Sequence, residues 1–482
     1  MKKYPFATDA LAIGNGAADG SLPSIMGPWS WGSSWIQPAV AYLDTSATFG
    51  SGSNHGPKGK FTIINAPGAG TGEGQGTTAY GISNTGANIG WSADANDVYH
   101  GLMFKSKGSV TTFDAPGAGT GAGEGTFAFG INPAGTIVGV ITDSEDSYHG
   151  FVRGSGGQIT TFNAPGAGTG SGQGTNLADI NPSGEMAGLY IDPEGATHAI
   201  LVVAGGAITA VDVPGAGTGA GQGSTVATMY SLNPSGALTG SYTDADNVGH
   251  GYARAPDGTI TTFEAPGAAT GPGQGTYADA INPRGEIAGG FGDSNGAGHG
   301  YVRSPDGNFV TFEAPGAGTG PGEGASVSSI NPSGVVAGTY VDSNDVSHGF
   351  LRAADGKFLL FDAPGAGTAV GQGTFCAGNN AAGAADGFYV DANNVSHAFV
   401  FTPSASWDCP GTADVTLADA LTTAAGQFTI SDFVPGSASV AGPSAQGGSA
   451  FGLPDTPTAN GFGAIAQPTI PDSQGFMLSV HG

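Results

Sequence analysis

Cysteine is nearly absent from this chain. Two residues in 482, Cys376 and Cys409, are too few for a disulfide-built scaffold and lack the spacing of a zinc site, so at most one bridge joins them. Such a bridge would tie the C-terminal tail to the body. Charge is scarce as well: 10% of residues are Asp, Glu, Lys or Arg, and 12 basic residues face 38 acidic ones, a formal net charge of −26. A chain so poor in cations repels nucleic acid and anionic headgroups, and neither is an expected partner. No apolar run reaches the roughly 18 residues that a membrane-spanning helix requires. The opening Met1-Lys2-Lys3-Tyr4-Pro5 has the charged start of an export leader, yet Asp9, Asn15 and Asp19 interrupt the apolar stretch that should follow.

Glycine and proline are plentiful instead, at 90 and 30 residues, beside a hydrophobic fraction of 39%. That mixture supplies a core but little for long helices, and it favours strands and turns. One phrase organises the chain. Ala-Pro-Gly-Ala-Gly-Thr begins at Ala66, Ala115, Ala164, Ala314 and Ala363, with variants at Val213 and Ala265, and its prolines are spaced by 49, 49, 49, 52, 49 and 49 residues. A period of this length marks a repeat architecture.

The unit is clearest over residues 276–313. Thr276 to Ile281 reads as a strand, Asn282-Pro283-Arg284-Gly285 as a tight turn, and Glu286 to Phe291 as a second strand. The chain reverses at Asp293-Ser294-Asn295-Gly296, runs through His299 to Arg303, turns at Pro305-Asp306-Gly307, and leaves through Asn308 to Phe312. Four short antiparallel strands followed by a long Gly-rich crossing are what a radial array needs. Seven first strands follow the seven Gly-rich loops, but the seventh unit, Thr374 to Phe401, lacks its fourth strand. An orphan strand at Phe61 to Asn65 precedes the first loop. The expected fold is therefore all-β: a seven-bladed β-propeller of four-stranded antiparallel blades over residues 55–402, closed by the N-terminal strand in the last blade. Non-repeat extensions flank it, an aromatic and Gly-rich segment at 1–54 and a Gly/Ser/Ala/Pro-rich segment at 403–482.

Units reading Ile-Asn-Pro-x-Gly, Gly-x-Tyr-x-Asp and His-Gly-Phe resemble the bacterial extracellular repeats of the HAF family, whose eponymous His-Ala-Phe stands here at His397-Ala398-Phe399. The resemblance covers residues 55–402 and neither tail. It implies propeller-like blades and an extracellular or surface location, here without a recognisable cleavable N-terminal signal, and it carries no catalytic residues. The long Gly-rich loop departs from the shorter repeats of that family.

Within every unit an Asp precedes a His by six residues: Asp94 and His100, Asp143 and His149, Asp192 and His198, Asp244 and His250, Asp293 and His299, Asp342 and His348, Asp391 and His397. The Asp ends the second strand and the His opens the third. Their hydrogen bond would fix the imidazole tautomer at the neck of a hairpin, or the pairs form a ring of ligand sites on one face. Each Gly-rich loop adds one acid or amide, read as Glu73, Glu124, Gln173, Gln222, Gln274, Glu323 and Gln372. No cofactor is required by these residues. Calcium is the candidate ion, at the oxygen-rich turns holding Asp244 and Asp246, and Asp342 and Asp345.

An enzyme would need residues that one unit alone supplies. The candidates are a three-residue insertion near Thr228-Met229-Tyr230 and Arg284, and neither brings a nucleophile and base at recognisable spacing. The expected role is non-enzymatic: repeated sites for multivalent binding or adhesion, with a glycan or cell-surface polymer as partner. A structural subunit that assembles with copies of itself through its tails is the alternative, and a propeller-face lyase or hydrolase a second.

Overall fold

The computed structural model describes residues 59–404 apart from 106, 107, 204, 205 and 228. Both extensions, including Cys409 at the far end of the expected bridge, lie outside the described residues. Twenty-eight strands occupy the range, and hydrogen bonding links them into one network. No helix is long and apolar enough among the described residues to cross a membrane.

The strands pair in consecutive antiparallel groups of four. In unit 5 these are Thr276–Ile281, Ile287–Gly292, Gly298–Arg303 and Phe309–Phe312, close to the bounds expected from the turn residues. First strands such as Gly125–Ile131 are wholly buried, while fourth strands such as Ile159–Phe162 expose their two middle residues. Adjacent units meet at one parallel bridge, where a glycine opens the first strand beside the previous unit's third, as in Gly125 with Tyr99. That glycine has φ +133, and a Cβ on it would lie 2.0 Å from the Tyr99 carbonyl oxygen. Only glycine fits both demands.

The array closes on itself. Gly59–Ile64 pairs antiparallel with Ser396–Pro403 along its whole length, from Gly59 opposite Pro403 to Ile64 opposite Ala398. The other side of the junction repeats the bridge seen between all units, Gly76 with Ser396. Phe61 seals it, its ring centroid 4.7 Å from Phe401 and 5.5 Å from Phe399.

Packing between the third and fourth strands of each unit explains the Gly that follows most of the histidines. A Cβ on Gly300 would lie 2.3 Å from the ring of Phe312 in the fourth strand, and Gly101, Gly251 and Gly349 are covered just as closely by Phe113, Phe263 and Phe361. Where the strand partner is smaller, the glycine is replaced: Ala199 sits opposite Val211, and Ala398 opposite Ile64. The two positions conserve volume between them. On the outer side of the same phenylalanines lie the next unit's arginines, Arg303 over Phe263 at 4.7 Å and Arg352 over Phe312 at 4.6 Å.

Two features escaped the sequence reading. The asparagine of the Asn-Pro-x-Gly turn caps its own turn through Oδ1, and through Nδ2 donates to the carbonyl of the matching residue one unit on. Asn132 donates to Asn181, Asn181 to Asn233, Asn233 to Asn282, Asn282 to Asn331, Asn331 to Asn380, and Asn380 to Ser83, at 3.1 to 3.5 Å. This belt runs round one rim and crosses the junction between the two ends of the array. The second feature is the insertion in unit 4. Six first strands carry a register shift near their ends, as between Ala278 and Ala280, whereas unit 4 has a shortened strand, Gly223–Val226, followed by the extra residues. Tyr230 adopts φ +61 and spans the array: its hydroxyl takes the Ile82 amide of unit 1 at 3.2 Å, and its carbonyl takes the Ile281 amide of unit 5. Tyr230, half-buried, lies against Gly378 of unit 7, and buried Met229 against Gly81 of unit 1.

Candidate functional site

The seven Asp-His pairs lie where the turn between second and third strands meets the Gly-rich loop. In each turn the Asp Oδ1 accepts backbone amides; Asp244 takes those of Asp246 and Val248, both at 2.9 Å. Its Oδ2 faces His250 Nε2 at 3.1 Å, and across the seven units this separation runs from 2.8 to 3.8 Å. Every Asp thus lies near its His, but the hydrogen bond inferred from the six-residue spacing forms in four units, at His149, His198, His250 and His397; His100, His299 and His348 face their Asp at 3.4 to 3.8 Å without one.

A third member was not anticipated. The other ring nitrogen, Nδ1, faces the residue immediately before the Ala-Pro-Gly or Val-Pro-Gly phrase: Asp114, Asn163, Asp212 and Asp362 at 2.7 to 2.9 Å, with Glu264 and Glu313 in closer contact still. His397 is completed by Asn65, at 2.8 Å, from the opposite end of the array. The signal was legible, since that position holds Asp, Glu or Asn in every unit. In units 3 to 7 an aromatic ring from the second strand covers the imidazole: Tyr190, Tyr242, Phe291, Tyr340 and Tyr389 stack at 4.6 to 4.9 Å between centroids. Ser92 and Ile141 hold that place in units 1 and 2.

Where both nitrogens are bonded, as in His149, His198, His250 and His397, the ring's orientation is fixed. Desolvation works to lower the pKa of His198, His250 and His348, but hydrogen bonds and the charge of the flanking carboxylates outweigh it and raise all three above the ordinary 6.5. The turn aspartates move the other way. For Asp244 the Val248 amide leads, and for Asp192 and Asp342 amide donors and the histidine overcome desolvation, so all three fall below 3.8.

The sign of the pH dependence follows. Stabilisation from the raised histidines is complete below 6.5 and is lost as pH rises through their folded-state values; that from the aspartates is present above 3.8 and is lost as pH falls through theirs. Melting temperature should peak between those limits and decline toward alkaline pH, and His198→Gln with His250→Gln and His348→Gln should flatten the alkaline limb in a thermal-melt series. An unchanged limb would remove the imidazoles as its source.

The loop residues serve the same rim. Glu124, Gln173, Gln222, Gln274, Glu323 and Gln372 each accept the amide of the residue three before, as Gly121 donates to Glu124 and Gly170 to Gln173. In unit 1 the place is taken by Gln75, not Glu73: Gln75 accepts the Gly72 amide and donates to Asp97, while Glu73 accepts from Asn394. The reason is register, since the capping residue must directly precede the glycine that opens the first strand. Each Gly-rich loop also binds the turn of the preceding unit, as the Gly123 amide does with the Asp97 carbonyl, so loops and turns share one rim.

The calcium candidates belong to this rim, and the candidates for asymmetric chemistry lie away from it. Asp244 and Asp342 already use Oδ1 on turn amides, and among the described residues no group of three or more His, Cys, Asp or Glu is placed to hold a metal. Arg284 lies at the opposite rim in an ion pair with Glu286. Met229 and Tyr230 are interior packing, as described; Thr228 is outside the described residues. Around them Asp179 accepts the Leu232 and Ile180 amides, and burial raises its carboxyl to about 6. Asp386 accepts from Asn88 and is pushed by burial to about 7. Both are enclosed, so their shifted values reflect packing. Cys376 is a buried free thiol whose pKa burial raises.

No protein-family model matches the chain, and no curated protein matches it. Among solved structures it is similar to the BP39L lectin of Burkholderia pseudomallei, at 14% identity and TM-score 0.47, over 68% of this chain and 94% of that one. It is similar to the Aleuria aurantia lectin at 10% identity and TM-score 0.36, over 61% of this chain and 93% of that one. A prolyl endopeptidase structure matches at 11% identity and TM-score 0.42, over 67% of this chain and 50% of that one. Likenesses this distant assign no function.

Proposed function

We propose that the chain is a seven-bladed β-propeller that works without catalysis, outside the cell or at its surface, by presenting near-identical sites for multivalent binding of a glycan. Each four-stranded unit is one blade, and the proposed location rests on the HAF-type resemblance of the repeats. The observation that carries the reading is the recurrence of one imidazole-centred constellation in all seven units on the same rim. Fixed carboxylates, amide groups and glycine backbone on one surface offer the donors and acceptors that sugar hydroxyls require. Seven weak sites on one rigid frame gain strength only against a partner that also repeats.

The near-identity of the seven rim constellations supports a binding role. The one insertion fills the interior, and every histidine on the rim is held at both nitrogens or faces an acid across a short gap. The test is a glycan array with the intact protein, run with and without calcium and with chelator. Binding to polymers but only weakly to the corresponding monosaccharides is expected. Absence of any glycan binding in all three conditions would overturn the reading, and dependence on calcium would give the acidic turns a ligand role.

A further inference from the structure

Charge is segregated between the two rims. Strand direction places every second-to-third turn, every Gly-rich loop and the end of every fourth strand on the histidine rim, and these carry twenty-one carboxylates and no Lys or Arg among the described residues. All eight described Lys and Arg residues lie on the other rim, closing third strands as Arg303 does or in adjoining turns as Arg284 and Lys357 do. Among the described residues the two ion pairs made by a lysine or arginine, Arg284 with Glu286 and Lys357 with Asp355, are on that other rim too. On the histidine rim the ion pairs are all with imidazoles, and the carboxylates outnumber those imidazoles three to one even if all seven are protonated.

We infer that the histidine rim selects a polysaccharide bearing free amino groups, and rejects neutral and anionic ones. This rests on the glycan-binding reading and narrows it. Asp114, Asp212 and Glu313 place one oxygen on a histidine while their side chains stay 62%, 63% and 55% exposed, so carboxylate surface remains open to an incoming ammonium group. Turn tips such as Glu145, Glu194 and Asp246 are exposed and have no Lys or Arg beside them. A uronate or phosphate polymer approaching this rim meets like charge at every unit, whereas an amine polymer meets a repeated attraction and the loop amides can still take its hydroxyls. Stacking of copies rim to rim fits less well. The opposite rim offsets its eight cations with five acids, and three of its arginines lie over phenylalanine rings.

The probes are chitosan oligomers with free amines, the same oligomers fully acetylated, alginate, and poly-lysine, each titrated against the intact protein at low and high salt. Chitosan should bind, with affinity falling steeply as salt is added. Glu145→Lys with Glu194→Lys and Asp246→Lys should weaken that binding by about tenfold or more, while Asp257→Lys with Asp355→Lys on the opposite rim should leave it unchanged; thermal melts confirm that both variants fold. Equal binding of the acetylated oligomers, or indifference to the first variant, would overturn the inference and leave the glycan reading standing. Poly-lysine bound as tightly as chitosan would overturn it by showing that amines are read without the sugar. If no carbohydrate binds, the glycan reading itself fails.

Discussion

Gly300→Ala should destabilise the protein by about 2 kcal/mol, in the range that over-packing of a filled core costs, although it adds one methyl group to a residue type that strands ordinarily accept. The added carbon would sit 2.3 Å from the ring of Phe312. That ring cannot retreat, because Phe350 and Phe358 pack against it from one side and the Arg352 guanidinium lies over its face. Phe312→Val alone should also destabilise, by roughly 2 to 4 kcal/mol, through the cavity it leaves. Combined, the two changes recreate the Ala199 and Val211 pair that unit 3 already uses. The double variant should therefore be more stable than the sum of the single effects by about 1 to 2 kcal/mol, measured by denaturant unfolding of all four proteins. Strict additivity would mean that the glycine is there for its backbone and not for the space above it.

Removal of residues 1–65 should have a larger effect still. It takes away the fourth strand of unit 7 with its ladder to Ser396–Pro403, uncovers Phe401 and Phe399, and leaves His397 without Asn65. An unpaired strand edge of this length promotes association between chains. The expected product aggregates or oligomerises and loses its sharp thermal transition. A peptide spanning residues 57–67, added in trans, should restore a monomer, since an extended segment can supply the missing strand. Size-exclusion chromatography with and without the peptide reads the result. A truncated protein that stays monomeric and melts cooperatively would show that the array holds together without the strand.

Much of this architecture was written plainly in the chain. The spacing of the Pro-Gly phrases gave the units, Asn-Pro-x-Gly and Asp-x-Asn-Gly gave the turns, and the arithmetic of a strand too many at one end and too few at the other gave the closure. The Asp-His pairs were legible because both partners belong to one hairpin. The third partner was harder to find because it comes from a strand read separately, and for His397 it comes from residue 65. The asparagine belt was hidden for a related reason: Asn before Pro is sufficient to explain a turn, and nothing local says that the same side chain also reaches the next unit. Glu73 was misassigned because the first loop holds both Glu73 and Gln75, and only the glycine that follows marks the capping position. The insertion at Met229 and Tyr230 was visible as asymmetry, but its destination, some 148 residues away at Ile82, depends on the closure of the whole array.

The belt also has a direction and a gap. Every link runs from a side chain to the carbonyl of the following unit, and unit 1, with Ser83 in place of asparagine, receives from Asn380 but has no matching side chain to offer Asn132. The contact between units 7 and 1 gains a further tie, the Ala381 amide to Asn84. The belt is therefore open at one place, between units 1 and 2, one unit past the place where the chain's own ends are joined, and that contact rests instead on rings, Trp91 and Tyr80 of unit 1 against Phe127 and Phe129 of unit 2.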